Sequence, residues 1–335
     1  MRILVTGGAG FIGALAVWRL LDLGYDVCVV DNLSSGHRSA LDRASRLAGR
    51  PVEFHLCDVR QTSQLISIMQ SFRPEAVMHF AGLKSVAESV ACPELYYENN
   101  VQGSLSLVQA MLQCQIDRLI FSSSATVYGA NGVPPFGEDA ELGPVNPYGR
   151  SKWMVELLMR DICSAHPEFS GIILRYFNPV GAHPSGLLGE WVQGSPNNLV
   201  PYVMGVLQGR FDRVRVFGSD YPTSDGSGVR DYIHVLDLVE GHVAALNLPK
   251  GLSVFNLGTG RGYSVHEVIQ AMQSVSGRII PFDVVDRRPG DVAVSIADPC
   301  RAHQAMAWKA ERGLIEMCQD VWNFAQCSPK GYELE

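Results

Sequence analysis

The sequence predicts an α/β fold, a Rossmann-type doubly wound parallel sheet with a smaller, loop-rich α/β region that binds substrate. Three observations carry that expectation. Short β-branched runs alternate with longer amphipathic segments through the first half, a glycine-rich turn follows the first run, and the texture becomes Gly, Pro, Asn and Ser-rich after about Arg175. The implied division is a dinucleotide-binding domain over 1–175 and a mainly substrate-binding region over 176–335, with the chain free to cross between them.

The first apolar run, Ile3 to Val5, reads as a strand that enters TGGAGFIG, where Gly7, Gly10 and Gly13 are spaced three apart ahead of a helix from Phe11 to Leu23. Glycines there let the backbone approach a pyrophosphate, and the helix start offers unpaired N–H groups and a partial positive charge. A second strand, Val27 to Val30, leads to Asp31, placed to accept hydrogen bonds from the adenosine ribose hydroxyls. That carboxylate repels a 2′-phosphate, which favours NAD over NADP; Asp31 also suits a simple turn ahead of Asn32. A third strand, Val52 to Leu56, precedes Asp58, and a fourth, Ala76 to His79, precedes Phe80-Ala81-Gly82. Both segments fall at the same sheet edge, as adenine and ribose contacts or as strand-end turns. Helices are expected over Thr62 to Phe72, Glu94 to Cys114 and Pro147 to Ala165, with strands Arg118 to Ser122 and Ile172 to Leu174 between and after the last two. Six strands result.

Strand five runs into Ser123 and Ser124, and Tyr148 and Lys152 follow four residues apart in the helix opened by Asn146-Pro147. That step puts both side chains on one helix face. Tyr-x-x-x-Lys alone is an ordinary solvated helix pattern; behind a glycine-rich nucleotide loop and a serine-ended strand it reads as catalytic. A free tyrosine titrates near 10. An ammonium ~5 Å away at an effective dielectric of ~20 contributes about 3 kcal/mol, roughly a hundredfold in acidity. Lys152 is the expected source of that charge, and the nicotinamide ring of oxidised NAD the expected source of the remainder.

Composition excludes several classes. The 335 residues are 47% hydrophobic and 18% charged, enough for one large domain or two sharing a cleft. With a net charge of −7 and scattered Lys and Arg, the basic footprint of a nucleic-acid binder is missing. No uncharged apolar run approaches the ~20 residues of a membrane span, and no signal peptide is expected after Met1, so a cytoplasmic location follows. The eight cysteines lie far apart, without a CxxC pair or His at zinc-finger spacing. Reduced thiols and no metal are expected.

In the strings VTGGAGFIG, HFAGLKSVAES, NNVQGSLSL, FSSSATVYG, NPYGRSK, LRYFNPVGAHPSG, PNNLVPY, GVRDYIHVLDL and FNLGTG, the sequence resembles the UDP-galactose 4-epimerase family of the extended short-chain dehydrogenase/reductase superfamily. The resemblance covers nearly the whole chain. It implies Tyr148 as base, Lys152 on the nicotinamide ribose, and Ser124 bonded to the reacting hydroxyl and to Tyr148. It places Phe11, Ile12 and the turn of Asn32, Leu33, Ser34, Ser35 and Gly36 on NAD, with Asp58 and Val59. Phe80, Ala81, Gly82, Lys84, Asn99, Ser122 and Phe177 complete that cofactor set. Asn178, Asn198, Leu199, Val216, Phe217, Arg230, Arg288 and Asp291 are implied on the UDP-sugar. Forked Arg pairs suit a diphosphate and Asn suits uracil or sugar edges; Arg230 and Arg288 taken singly are ordinary surface ion-pair formers.

The implied reaction is C4 epimerisation of a UDP-hexose. Tyr148 takes the 4-hydroxyl proton, hydride passes to NAD, and the 4-ketose swings about its diphosphate to receive the hydride on its other face. A homodimer joined through the helices Glu94 to Cys114 and Pro147 to Ala165 is also implied. Their apolar positions Leu105, Val108, Leu112, Val155, Leu158 and Met159 equally suit packing on the sheet.

Two departures stand out. Where the family often carries a Tyr near the sugar 2-position, this chain has Ser295 after Val294, which predicts room for N-acetylated UDP-hexosamines unless Val294 or a loop fills the gap. In GLLGEWVQGSPNN, Leu187 and Trp191 are apolar, and Trp191 either packs onto the cover or meets sugar. A nucleotide-sugar dehydratase or decarboxylase is the rival enzyme, yet Ala125 and Thr126 stand where a dehydratase has acidic residues. An NAD-sensing protein without turnover has no need of Ser124, Tyr148 and Lys152 together.

Overall fold

The computed structural model describes residues 1–129, 132–192, 194, 196, 198–288 and 290–332. The first half contains β1 (Arg2–Thr6), α1 (Phe11–Asp22), β2 (Asp26–Asp31), α2 (Arg38–Ala48), β3 (Glu53–Leu56), α3 (Thr62–Phe72) and β4 (Ala76–His79). It continues with α4 (Val86–Ala91), α5 (Pro93–Tyr96), a π-helical turn (Tyr97–Gln102), α6 (Gly103–Gln113), β5 (Arg118–Ser124), a 3₁₀ turn (Ala125–Val127), α7 (Pro147–Ala165) and β6 (Ser170–Tyr176). Beyond these come β7 (Asn178–Val180), α8 (Leu199–Leu207), β8 (Val214–Phe217), β9 (Val229–His234), α9 (Val235–Ala245) and β10 (Leu252–Leu257). The remainder is β11 (Gly262–Ser264), α10 (Val265–Ser276), β12 (Phe282–Val285), β13 (Val294–Ser295), α11 (Cys300–Met306) and α12 (Leu314–Cys327).

Seven parallel strands form the main sheet in the order β10-β6-β5-β4-β1-β2-β3. The order reverses between β1 and β4, which opens a crevice above their carboxyl ends. Central strands such as β4 and β6 are buried along their whole length, as a sheet covered by helices on both faces requires. One apolar layer joins α1, α2 and α9 to the sheet, and another joins α3, α6 and α7 to the opposite face.

The structure adds a seventh strand to the six expected, because β10 returns from the second half to pair with β6. It also adds α2, whose RSALDRASRLA is polar on average and buries only Ala40, Leu41 and Ala44, small or isolated apolar residues in a charged stretch. The single helix expected over Glu94 to Cys114 is broken into α5, the π turn and α6. The π turn is a local i→i+5 widening that apolar periodicity does not report.

A smaller region lies around β9, which pairs with β7 and β13 in parallel and with β11 antiparallel, beside a separate β8–β12 pair. Its core is formed with α8, α10 and α12.

Candidate active site

At the end of β1, Gly7 has φ +69°, and a Cβ there would lie 2.5 Å from the Ala81 nitrogen. A Cβ on Gly13 would lie 2.1 Å from the Gly7 oxygen. Both positions therefore exclude any side chain and let α1 and the loop after β4 close against the turn. Gly10 is the N-cap of α1 and offers no side-chain cap. The N–H groups at Phe11 and Ile12 therefore begin a helix whose positive end is left for an anion.

Asp31, at the end of β2, accepts from Ala9 N–H at 2.9 Å through Oδ2 and from Leu33 N–H at 2.8 Å through Oδ1. Burial pushes its pKa up, and those two N–H groups oppose the shift. Each oxygen keeps a lone pair for a ribose hydroxyl. Asn32 donates to Asp58 at 2.9 Å, Ser34 and Ser35 lie exposed on the turn, and Gly36 sits against Ala9, where a Cβ would come within 2.9 Å of a backbone atom. Hydrogen bonds from Arg60 are the chief cause holding Asp58 far below the usual carboxylate range. Val59 packs against Gly103 at the base of α6. Closed glycine contacts, an uncapped helix start and a buried carboxylate at this spacing fit a dinucleotide.

The loop from Phe80 to Lys84 is clamped by Asn100 in the π turn. Asn100 accepts from Leu83 N–H at 2.8 Å and donates to the Leu83 carbonyl at 3.0 Å and the Ser151 hydroxyl at 2.9 Å. Gly82, at φ +155°, passes so close that a Cβ would meet Asn100 at 3.0 Å. The neighbouring Asn99 donates instead to the Leu95 carbonyl of its own helix at 2.9 Å.

Helix α7 starts on Pro147 with Asn146 capping it, its side chain accepting from Gly149 N–H at 2.9 Å. Tyr148, Lys152 and Glu156 then follow at four-residue steps on one face. Glu156 is fully buried in a two-pronged pair with Arg175 of β6, at 2.7 and 3.0 Å, and accepts from Ser123 at 2.6 Å. This network fixes α7 against β5 and β6 and aims Tyr148 and Lys152 at the carboxyl end of β5. Lys152 donates to the Ser122 carbonyl at 2.8 Å, and burial lowers its pKa to about 8.

Ser124 accepts from the Thr126 N–H at 3.2 Å and the Thr126 hydroxyl at 3.0 Å, which leaves its own proton available to the Tyr148 phenol. Burial pushes the Tyr148 phenol up, while Ser124 and the positive charge of Lys84 pull it down. Lys84 thus brings a second positive charge to the phenol besides the Lys152 expected there. Lys84 is exposed and held by Glu190 at 2.7 Å, whose carboxylate leaves the Lys84 pKa raised.

On the other wall, Arg230 of β9 is in register with Ser295 of β13. Arg288 lies 4.6 Å over the Phe217 ring and pairs with Asp291 at 3.0 Å. Asn178 is half-buried on β7; exposed Asn198 caps α8 without a side-chain bond, with Leu199 next to it. Val216 turns its side chain into the second core, so only its backbone can face a ligand, and Phe177 packs in a buried cluster with Tyr128.

Sequence reasoning missed three features. Tyr221 is buried with a hydroxyl that lacks a partner among the described residues, in the combined field of Asp291, Arg287, Arg230 and Arg288. An unbonded phenol among arginines suits an anion's oxygen. Tyr176, hydrogen-bonded to His242, stands near Ser122 and Tyr148. The Lys84–Glu190 pair joins residues far apart in the chain, and only the approach of loops shows it. Trp191 is half-buried, with Arg210 5.2 Å over its ring and Gly331 against the ring. Gln193, Ser195 and Asn197 of that loop, and Pro289 beside Arg288, lie outside the described residues.

A profile of the NAD dependent epimerase/dehydratase family matches residues 3–258. The chain is 49% identical to the UDP-glucose 4-epimerase of Bacillus subtilis strain 168, over 99% of each chain. Its structure resembles that of UDP-glucose 4-epimerase from Bifidobacterium longum in complex with NAD+ and UDP, with a TM-score of 0.96 and 46% identity, covering 99% of this chain and 100% of the other. A UDP-Glc/GlcNAc 4-epimerase from Campylobacter jejuni superposes with a TM-score of 0.85 at 36% identity, covering 97% of this chain and 99% of that one.

Proposed function

The chain belongs to the NAD-dependent epimerase/dehydratase family, and on that premise we propose that it interconverts UDP-glucose and UDP-galactose by reversible inversion at carbon 4. The observation that carries this reading is the convergence of Ser124, Tyr148 and Lys152 at the carboxyl end of β5, next to the closed glycine turn. Bound NAD supplies reversible hydride exchange at carbon 4, and its holders would be the Gly7–Gly13 turn, Asp31 and Lys152.

The chain's own groups do the rest. Tyr148 accepts the proton of the 4-hydroxyl, while Ser124 donates to the phenolic oxygen and so stabilises the phenolate. Lys84 adds positive charge to the same oxygen, and Glu190 keeps that ammonium in place. Arg230, Arg288 and Tyr221 suit the diphosphate, so the sugar is tethered by its nucleotide and can offer either face for hydride return. Exclusion of water from the site keeps the 4-ketose from side reactions. Ala125 and Thr126, in the 3₁₀ turn after β5, supply no carboxyl group for dehydration.

The division into a nucleotide-binding domain over 1–175 and a nucleotide-sugar-binding region over 176–335 belongs to the same reading, with β10 crossing back to the sheet. So does acceptance of UDP-GlcNAc and UDP-GalNAc. Ser295 is small and stands beside Arg230, and strand alternation directs Val294 to the opposite face. Replacing Ser295 with Tyr is expected to lower the UDP-GlcNAc to UDP-glucose turnover ratio at least ~10-fold, the order of a steric mismatch in a packed pocket; an unchanged ratio removes the idea.

A cytoplasmic homodimer completes the reading. No helix among the described residues is long and apolar enough to cross a membrane. Val108, Val155 and Met159 are buried within the protomer, while Leu105, Met154 and Leu157 remain exposed on α6 and α7 for a second copy.

The test is incubation of the purified protein, without added cofactor, with each of UDP-glucose, UDP-galactose and their N-acetyl analogues, followed by separation of the products. Approach to one equilibrium mixture from both C4 epimers is expected. Absence of interconversion even with NAD supplied rejects the function.

A further inference from the structure

Away from the active site, the outer strands of the main sheet bring three metal-binding side chains together. β2 and β3 run parallel with Cys28 opposite Glu53. His55 lies two residues beyond Glu53 and so shares its face. The Cys28 sulfur, a Glu53 carboxylate oxygen and a His55 ring nitrogen all lie within 4.8 Å of one another, the one such group among the described residues. His55 Nε2 and Glu53 Oε1 are 2.7 Å apart. Cys28 is fully buried beneath the pair, Glu53 is exposed and His55 half-buried, so the cluster opens to solvent on one side.

We propose that Cys28, Glu53 and His55 form a binding site for a thiophilic divalent cation of the Zn²⁺ type at the outer edge of the sheet. Zinc takes thiolate, imidazole and carboxylate ligands at about 2.3, 2.0 and 2.1 Å, which places tetrahedral donors roughly 3.3–3.8 Å apart. The cluster is within about 1 Å of that spacing, and sheet register already fixes the backbones of Cys28 and Glu53. Rotation of the Glu53 and His55 side chains closes the remainder. Binding breaks the Cys28 S–H bond, forms a sulfur–metal bond and releases the proton to water, with no change of oxidation state. A water molecule takes the fourth position on the open side. The thiol excludes Mg²⁺ and Ca²⁺, which prefer all-oxygen sites. The bound ion would tie β3, the exposed edge strand, to β2. These two strands lead directly into Asp58 and Asp31.

The protein with its resident cofactor, freed of metal by a chelator and dialysed, is titrated with ZnCl₂ and separately with CoCl₂. One saturable equivalent of Zn²⁺ is expected, with a thermal midpoint raised by several degrees and no competition from excess Mg²⁺. Co²⁺ is expected to show a thiolate-to-metal charge-transfer band. His55→Ala and Glu53→Gln, both on the open side, should each weaken binding at least ~10-fold, by the order expected for loss of a ligand, and Cys28→Ser should abolish the band. Should Cys28→Ser fail to fold, the two surface variants and the wild-type band still decide. Lack of a stoichiometric site, lack of the band, or affinity unaffected by both surface variants overturns the proposal.

Discussion

Tyr148 has to ionise near neutrality in a place where burial opposes charge. Two groups that pull its pKa down are Ser124 and Lys84, and neither is within 20 residues of it along the chain. Lys84→Met is expected to move the limb of the pH–rate profile that reports the base to higher pH, because a positive charge near the phenol is removed. An unmoved profile would remove Lys84 from the account. Tyr221→Phe tests the other wall: if its hydroxyl meets the diphosphate, KM rises about 10- to 100-fold with kcat unchanged, the worth of one hydrogen bond to a charged group. The serine-ended strand, the Tyr-x-x-x-Lys step and the glycine triplet were legible in the sequence because each lies within one local element. Lys84 beside Tyr148, Tyr221 among arginines and Cys28 beside His55 were not, because loop approach or strand register creates them.

Helix α7 carries the reactive residues, and what seats it is a buried ion pair rather than apolar packing alone. Glu156 and Arg175 are both essentially without solvent exposure and lie 2.7 Å apart. Glu156→Gln leaves the Arg175 charge buried with neutral partners only, the Tyr128 hydroxyl and the Glu138 carbonyl among them, and a loss of about 3–5 kcal/mol in unfolding free energy is expected. Chemical denaturation measures it; a loss below about 1 kcal/mol would show that α7 is seated by other contacts. The helix's bounds were readable from Asn146-Pro147 and its periodicity, but its partner on β6 was not. The same limit explains α2, too polar to announce itself, and the π turn, whose Asn100 clamp depends on a change of helical pitch.

Across the whole molecule, pH acts through buried neutral side chains. Burial lowers His79 to about 3 and His242 to about 4, whereas an unfolded imidazole titrates near ~6.5. On acidification the unfolded chain therefore takes up protons that the folded one refuses. Stability from these groups is complete above pH ~6.5 and declines as pH falls toward the folded values. The denaturant midpoint should be lower at pH 5 than at pH 7, and equal midpoints would contradict the burial assigned to both rings. Alternation of strands and helices was enough to read the doubly wound class. The seventh strand was not, since β10 arrives after the loop-rich region has begun and its neighbour in the sheet, β6, ends 76 residues before it starts.

The most direct test of the account is the single-turnover conversion of UDP-glucose to UDP-galactose by the protein and by its Tyr148→Phe variant, with bound cofactor verified in both. Loss of the phenolic base should slow conversion by about 10²- to 10⁴-fold while UDP binding is retained. Conversion at an undiminished rate in the variant would contradict the assignment of Tyr148, and with it the role given to Ser124 and Lys84.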